Sequence, residues 1–272
     1  MRGRVLIRSF LDFFRDDGMV FAGSISFFVM MAIVPFCLFL VAMFGYSLGE
    51  NQEFYRFFLS KLVSFFPRIT SEITEELKRL ITYRGVGKFS LALYALLSFQ
   101  LFSSLESAIN RIFKIRQKRA VVVSMVLSLV IVTLVMGFLV ISFGATSAVS
   151  MLKTLSGVFP GIEIGEITGF LIRFVIPLLL VFLIGTTLYL FLPRSRVKLL
   201  HAMEGALFMA VFLEAAKHLF TLYVVKVVRL GTIYGPLSAF IIFLLWVYYS
   251  SCIFLVGAEV VHNLGAMRER RR

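Results

Sequence analysis

The chain has 272 residues, 60% of them hydrophobic and 31 of them Phe, with a formal net charge of +13 and a mean hydropathy of +0.94. A soluble domain of this length needs far more polar surface, so the composition excludes a water-facing fold and implies a chain whose outer face meets lipid. The basic excess leaves two readings, nucleic-acid binding or Lys and Arg marking the cytoplasmic ends of membrane spans, and their placement decides between them.

Residues 1–17 mix four arginines with Asp12, Asp16 and Asp17. The apolar positions Val5, Leu6, Phe10, Phe13 and Phe14 follow a helical period, which predicts an amphipathic helix on the membrane surface. It does not read as a cleavable signal, because the apolar run that follows is too long and no small-x-small site stands after it. Span 1 is predicted from about Met19 to Ser47, with a kink at Pro35. Ala22, Gly23, Ser24 and Ser26 offer its first turns a small-residue face for close helix packing.

Residues 49–88 form the one long polar connection. Phe54, Phe57, Phe58, Leu62, Phe65 and Phe66 share a face, and Pro67 ends that helix. Ile69, Ile73, Leu77, Leu80 and Ile81 make a second stripe, with Glu residues early and Lys78 and Arg79 late, as a helix dipole favours. Two short external helices are expected, serving as a lid or a docking surface.

Span 2 covers about 89–109 and contains Glu106; the basic run 111–119 follows. Span 3 is expected over 121–147. Span 4, about 169–192, has Arg173 near its start, Pro177 inside and Pro193 at its end. Span 5, about 203–228, is the least apolar and carries Glu214, Lys217 and His218. Span 6, about 237–261, opens from Tyr234, Gly235 and Pro236, is uncharged from Leu237 to Ala258, and closes on Glu259 and Asn263 near the membrane boundary. Trp246 sits mid-span as a packing residue, while Tyr248 and Tyr249 add amphipathic rings.

Six spans put both termini on one side. With that side cytoplasmic, the N-terminal segment holds four Lys/Arg, the 111–119 run five, Arg194, Arg196 and Lys198 three, and the tail four, against only Lys153 and Arg229 in the two short external loops. The 49–88 loop holds seven, offset by five Glu, at a length where the rule weakens. This is the positive-inside bias, and it accounts for the charge without nucleic acid. Cys37 and Cys252 lie in apolar spans without CxxC or a His cluster, so neither a disulfide, a metal site nor a cofactor is expected.

With all spans laid out, the chain resembles the YihY/BrkB family of bacterial inner-membrane proteins. The resemblance is carried by Tyr234-Gly235-Pro236-Leu237, Leu245-Trp246-Val247-Tyr248 and Gly257-Ala258-Glu259. Asp16-Asp17, Ser26-Phe27-Phe28 through Pro35, Asn110-Arg111, Leu192-Pro193-Arg194 and Glu204-Gly205-Ala206 add to it. These motifs run over nearly the whole chain in the family's order. The resemblance implies six helices with both termini inside, and an envelope role in transport or lipid handling. The ribonuclease label that members once carried finds no support in three scattered histidines at 201, 218 and 262.

Several polar residues stand out as site candidates. Glu214 and Lys217, one turn apart on span 5, form either a polar pathway or a plain i,i+3 ion pair. Glu106, Glu204 and Glu259 near the cytoplasmic span ends are expected to form an acidic cluster beside Asn110, Arg111 and Asn263, as a vestibule or as interhelical pairing. Asp16 and Asp17 are expected to cap span 1. Arg173, Lys226 and Arg229 either hold lipid phosphates or snorkel to the headgroups.

The expected protein is all-α: a single integral-membrane domain of the inner membrane, without catalytic chemistry, interacting with membrane lipids. The leading reading is movement of a lipid or small solute through a polar groove of spans 1, 2, 5 and 6. The alternative is an assembly factor docking an envelope protein through residues 49–88. A membrane-bound enzyme on RNA or lipid ranks last.

Overall fold

The computed structural model describes residues 2–32, 86–115, 122–124, 126–127, 131, 174–226 and 237–269. Pro35, most of the 49–88 segment and of span 3, Arg173, Arg229 and the Tyr234-Gly235-Pro236 turn lie outside the described residues, as does the side chain of Lys226. All described secondary structure is helical. The helices are α1 (Arg2–Arg15), α2 (Gly18–Ala32), α3 (Val86–Ile112), α4 (Ile176–Phe191), α5 (Leu199–Lys226) and α6 (Leu237–Glu269).

Two of these carry windows long and apolar enough to cross a membrane: Leu199–Phe220 in α5, with mean hydropathy 1.5, and Ile241–Met267 in α6, with 2.1. They correspond to the expected spans 5 and 6. Spans 1, 2 and 4 are represented by α2, α3 and α4. Three boundaries differ from expectation: α3 starts inside the 49–88 connection at Val86 and runs past the basic Arg111, α5 starts at Leu199, and α6 continues past the expected close at Glu259 and Asn263 to Glu269. Pro177 stands in the first turn of α4, where its missing N–H costs nothing.

α5 shows why such helices belong in lipid. Its inward face is small and buried, with Ala202, Ala206, Met209 and Ala210, while Leu200, Met203, Leu207 and Val211 point outward and stay exposed. A soluble helix would place polar groups on that outer face. Small residues inside and large apolar ones outside suit helices that associate by close packing, with no hydrophobic force between them.

By its contacts the chain divides into two compact units. The first comprises Met1–Met19, Glu106–His218 and Cys252–Arg272. Here α4, α5 and α6 meet through glycines. A Cβ on Gly205 would lie 2.9 Å from the Gly257 carbonyl oxygen, and one on Gly257 would run into the Tyr189 hydroxyl. Tyr189, fully buried, donates that hydroxyl to the Phe254 carbonyl at 2.6 Å and stacks on the Phe254 ring at 5.2 Å. The glycines therefore serve close approach.

The second unit comprises Val20–Leu105 and Leu219–Ser251. The expected small face of α2 packs here: Ala22 and Ser26 are buried, and Ser24 Oγ lies 2.9 Å from Ser104 Oγ of α3. Ser26 donates to the Ala22 carbonyl at 2.6 Å and reaches Ser251 Oγ of α6 at 3.5 Å. Gly23, in contrast, has open space where a Cβ would stand. Trp246 packs its ring 5.2 Å from Phe220, in the packing role its mid-span position predicts.

Candidate functional site

The first unit gathers polar side chains at the ends of α1, α3 and α6. α1 buries Val5, Ser9 and Phe13, positions three to four apart that share one helix face. Its last carbonyls are met by a turn in which Asp16 N–H bonds the Asp12 carbonyl at 2.8 Å. Asp17 then takes a left-handed φ of 60° and redirects the chain into α2. α3 ends in a Schellman motif: Ile115 N–H bonds the Asn110 carbonyl at 2.8 Å and Lys114 N–H bonds the Arg111 carbonyl at 3.1 Å. Lys114, with φ 58°, fills the left-handed position that glycine usually takes.

These two turns face each other electrostatically. Arg111 Nη2 donates to Asp17 Oδ2 at 3.1 Å, and Lys114 Nζ stands 3.8 Å from Asp16 Oδ2. Asp16 and Asp17 thus spend their carboxylates on the end of α3 rather than on capping α2, which corrects the expected cap. Asp17 at a positive φ lacks the extended backbone of an N-cap residue.

α6 brings Glu259 and Asn263 to the same place. Asn263 is buried, and its Nδ2 donates to Ser9 Oγ and Asp12 Oδ2, both at 3.1 Å. Asp12 also accepts from Arg8 Nε at 3.3 Å. One turn earlier, Glu259 is fully buried, flanked by Ala258, Val260 and Val261. Neither of its carboxylate oxygens has a hydrogen-bond partner among the described residues, and Asp16 Oδ2 and Asn110 Oδ1 share that condition. Asp16, Asp12 and Lys114 are the charged groups that act on it. His262, three residues on, packs edge-on against Phe113 at 5.4 Å. The result is a polar cluster in which Arg8, Arg111, Lys114 and Asn263 serve the aspartates and Ser9, and none of them hydrogen-bonds Glu259. An ionised carboxylate held this way costs several kcal/mol, on the order of what an isolated polar group loses on leaving water. A proton, a cation with N–H donors, or water would relieve it.

Glu106 belongs to a separate group one turn up α3 from Asn110. Arg194, just past α4, donates to Glu106 Oε1 through Nε at 3.1 Å and Nη2 at 2.9 Å, and Ser124 donates to Oε2 at 3.1 Å. The pair is largely buried, with side-chain exposures of 12% and 9%. Glu204 is half-buried, and no described hydrogen bond or ion pair joins it to Glu106 or Glu259. The three glutamates expected to share one cluster therefore have separate surroundings.

Glu214 makes its own group along α5. Its Oε1 lies 2.5 Å from Lys217 Nζ and 3.5 Å from His218 Nε2, and both partners are more exposed than the carboxylate. Since the apolar window ends at Phe220, these residues occupy its last two turns and not its middle. The i,i+3 ion pair is formed. Among family-motif residues, Pro193 is buried just after α4, Gly205 and Gly257 make the helix contact above, and Tyr248 stacks edge-on with Tyr249 at 6.1 Å.

In the sequence Arg194 enters as a loop cation and a family-motif residue, and Asp12 and Ser9 do not stand out as site candidates. The signal for the latter two was present: Val5, Ser9, Asp12, Phe13 and Asp16 fall on one face, so a polar stripe runs inside the apolar period. For Arg194 no local signal exists, because its partner is 88 residues away.

The family model described as "Virulence factor BrkB" matches residues 9–272. A UPF0761 membrane protein of Pseudomonas paraeruginosa is 31% identical over 259 residues, 92% of this chain and 60% of that protein. One from Azotobacter vinelandii is 31% identical over 275 residues, 97% of this chain and 64% of its own length. One from Prosthecochloris aestuarii is 28% identical over 276 residues, 97% and 63% respectively. The chain thus spans about three-fifths of the length of these curated relatives. No solved structure matches it significantly.

Proposed function

We propose a function from the premise that this chain belongs to the BrkB family of membrane proteins: it moves a lipid or small solute in the bacterial inner membrane along a polar path that passes Glu259. The observation that carries this reading is a fully buried carboxylate, with no hydrogen-bond donor on either oxygen among the described residues, in the last third of the more apolar of two long apolar windows. A buried ionisable group in a span needs a reason, and a polar pathway is the common one. In this reading Glu259 accepts a proton or an N–H donor of the migrating species. Asp16 and Asp12 continue the row of acceptors toward the exposed side of α1, and Lys114 supplies the countercharge. No chemical step is assigned.

The same proposal has six spans with both termini cytoplasmic, supported by the Lys/Arg bias of the short loops. It moves the centre of the path from Glu214 to Glu259, because Glu214 already has Lys217 and His218 as partners. The test is movement of labelled lipid and solute in proteoliposomes, wild type against Glu259→Gln. Loss of movement in a normally folded variant supports the path, and an unchanged rate removes Glu259 from it. An assembly factor docking through residues 49–88 predicts the reverse pattern: Glu259→Gln silent, and deletion of 54–83 disabling.

A further inference from the structure

α1 has two apolar faces, and the fold uses only one. Val5 and Phe13 are buried against the first unit, where Ser9 and Asp12 accept from Asn263. On the other side Leu6, Ile7, Phe10, Leu11 and Phe14 are between 42% and 66% exposed. At about 100° per residue these five fill one continuous arc of about 140°. Arg15 and Arg8 follow directly beside Leu11, and a shallow groove of about 360 Å³ is lined by Ile7, Arg8, Leu11, Asp12 and Arg15.

Three facts say what covers this face. The helix has 14 residues, so at about 21 Å it is too short to cross a bilayer core of about 30 Å. It runs through a two-residue turn into the apolar helix α2, which keeps it at membrane level. Its groove sets two apolar side chains beside two guanidinium groups, with the Asp12 carboxylate on its inner side held by Asn263 and by Arg8 Nε, and the apolar-plus-cationic pairing is the one that suits an acyl chain and its phosphate.

We propose that the outward face of α1 lies in the plane of the bilayer surface and binds acidic phospholipid, with Leu6, Phe10 and Phe14 among the acyl chains and Arg8 and Arg15 on the phosphates. The inner face, tied to Asn263, fixes the rotation that presents these groups. The arginines give the preference for anionic over zwitterionic headgroups, at roughly fivefold per residue near the surface.

The experiment uses the full chain in phosphatidylcholine proteoliposomes, with Phe10→Trp in a Trp246→Phe background so that the introduced indole reports alone. Brominated phosphatidylglycerol or brominated phosphatidylcholine is added in steps. The expected result is quenching by both at a shallow bromine position, half-maximal at a several-fold lower fraction of phosphatidylglycerol. Arg8→Gln with Arg15→Gln should raise that fraction by roughly fivefold per arginine while leaving the depth unchanged. Phe14→Trp, on the same arc, should report the same behaviour and serves if the first variant does not fold. No quenching by either lipid would overturn the proposal, since water, a second copy or another protein would then cover the face. Equal fractions for both lipids would overturn it as well.

Discussion

Arg194 grips one oxygen of Glu106 with two nitrogens, at 3.1 and 2.9 Å, and ties the loop after α4 to the last two turns of α3 across 88 residues. With Ser124 on the other oxygen, the carboxylate is satisfied on both sides. A pair this buried adds less through its attraction than is lost when one member is left alone. Arg194→Met should therefore destabilise by about 3–5 kcal/mol, and Glu106→Leu with Arg194→Met should regain most of that. Thermal unfolding in detergent distinguishes the two. A double variant as unstable as the single one would show that the pair contributes through something other than charge compensation.

The contact of α4, α5 and α6 turns on a single hydrogen atom's worth of space at Gly257. A Cβ there meets the Tyr189 hydroxyl, which is engaged with the Phe254 carbonyl at 2.6 Å. Gly257→Ala is expected to cost about 1–3 kcal/mol by overpacking. Tyr189→Phe alone should cost about 1 kcal/mol, the net worth of a buried hydrogen bond. Combined, the two should be less damaging than their sum, because the phenyl ring vacates the space the methyl needs. Melting temperatures of the two single variants and the pair give the coupling, and strict additivity would contradict the packing account.

Asn263 holds α1 to α6 through Ser9 and Asp12. Asn263→Ala removes both bonds and leaves buried acceptors, a loss of about 1–3 kcal/mol concentrated at one docking contact. The expected consequence is local: tryptic cleavage after Arg8 and Arg15 should accelerate, while cleavage elsewhere is unchanged. Uniform acceleration over the whole chain would mean that Asn263 supports the fold at large.

Glu214→Gln is expected to leave transport unchanged. The carboxylate is already met by Lys217 and His218 on its own helix, which is how a plain i,i+3 and i,i+4 set behaves. A flux assay in which this variant is inactive would return the path to α5.

Composition and periodicity made the helical class, the spans at α5 and α6 and the polar ends of α3 and α6 legible, because each depends on residues near one another in sequence. Glu259 and Asn263 were recognisable as a pair one turn apart on α6, although the helix continues past them to Glu269. What they meet was not legible. Val5, Leu6, Phe10, Phe13 and Phe14 all fit one apolar period, yet the helix buries Val5 and Phe13 and exposes the other three. The rotation of α1 is set by Ser9 and Asp12 finding Asn263, over 250 residues away along the chain. Likewise, Glu106 and Glu259 are the same residue type toward the C-terminal parts of α3 and α6, and only tertiary packing separates one that has an arginine from one that has none among the described residues.

The measurement that tests the central claim most directly is lipid movement in proteoliposomes containing wild type, Glu259→Gln or Glu214→Gln, against empty vesicles, with each variant first shown to be monodisperse and helical. The account predicts movement by wild type and Glu214→Gln and its loss in Glu259→Gln, with solute flux following the same order if the cargo is not lipid. Undiminished lipid and solute movement in Glu259→Gln would contradict it, leaving the buried carboxylate without a part in transport.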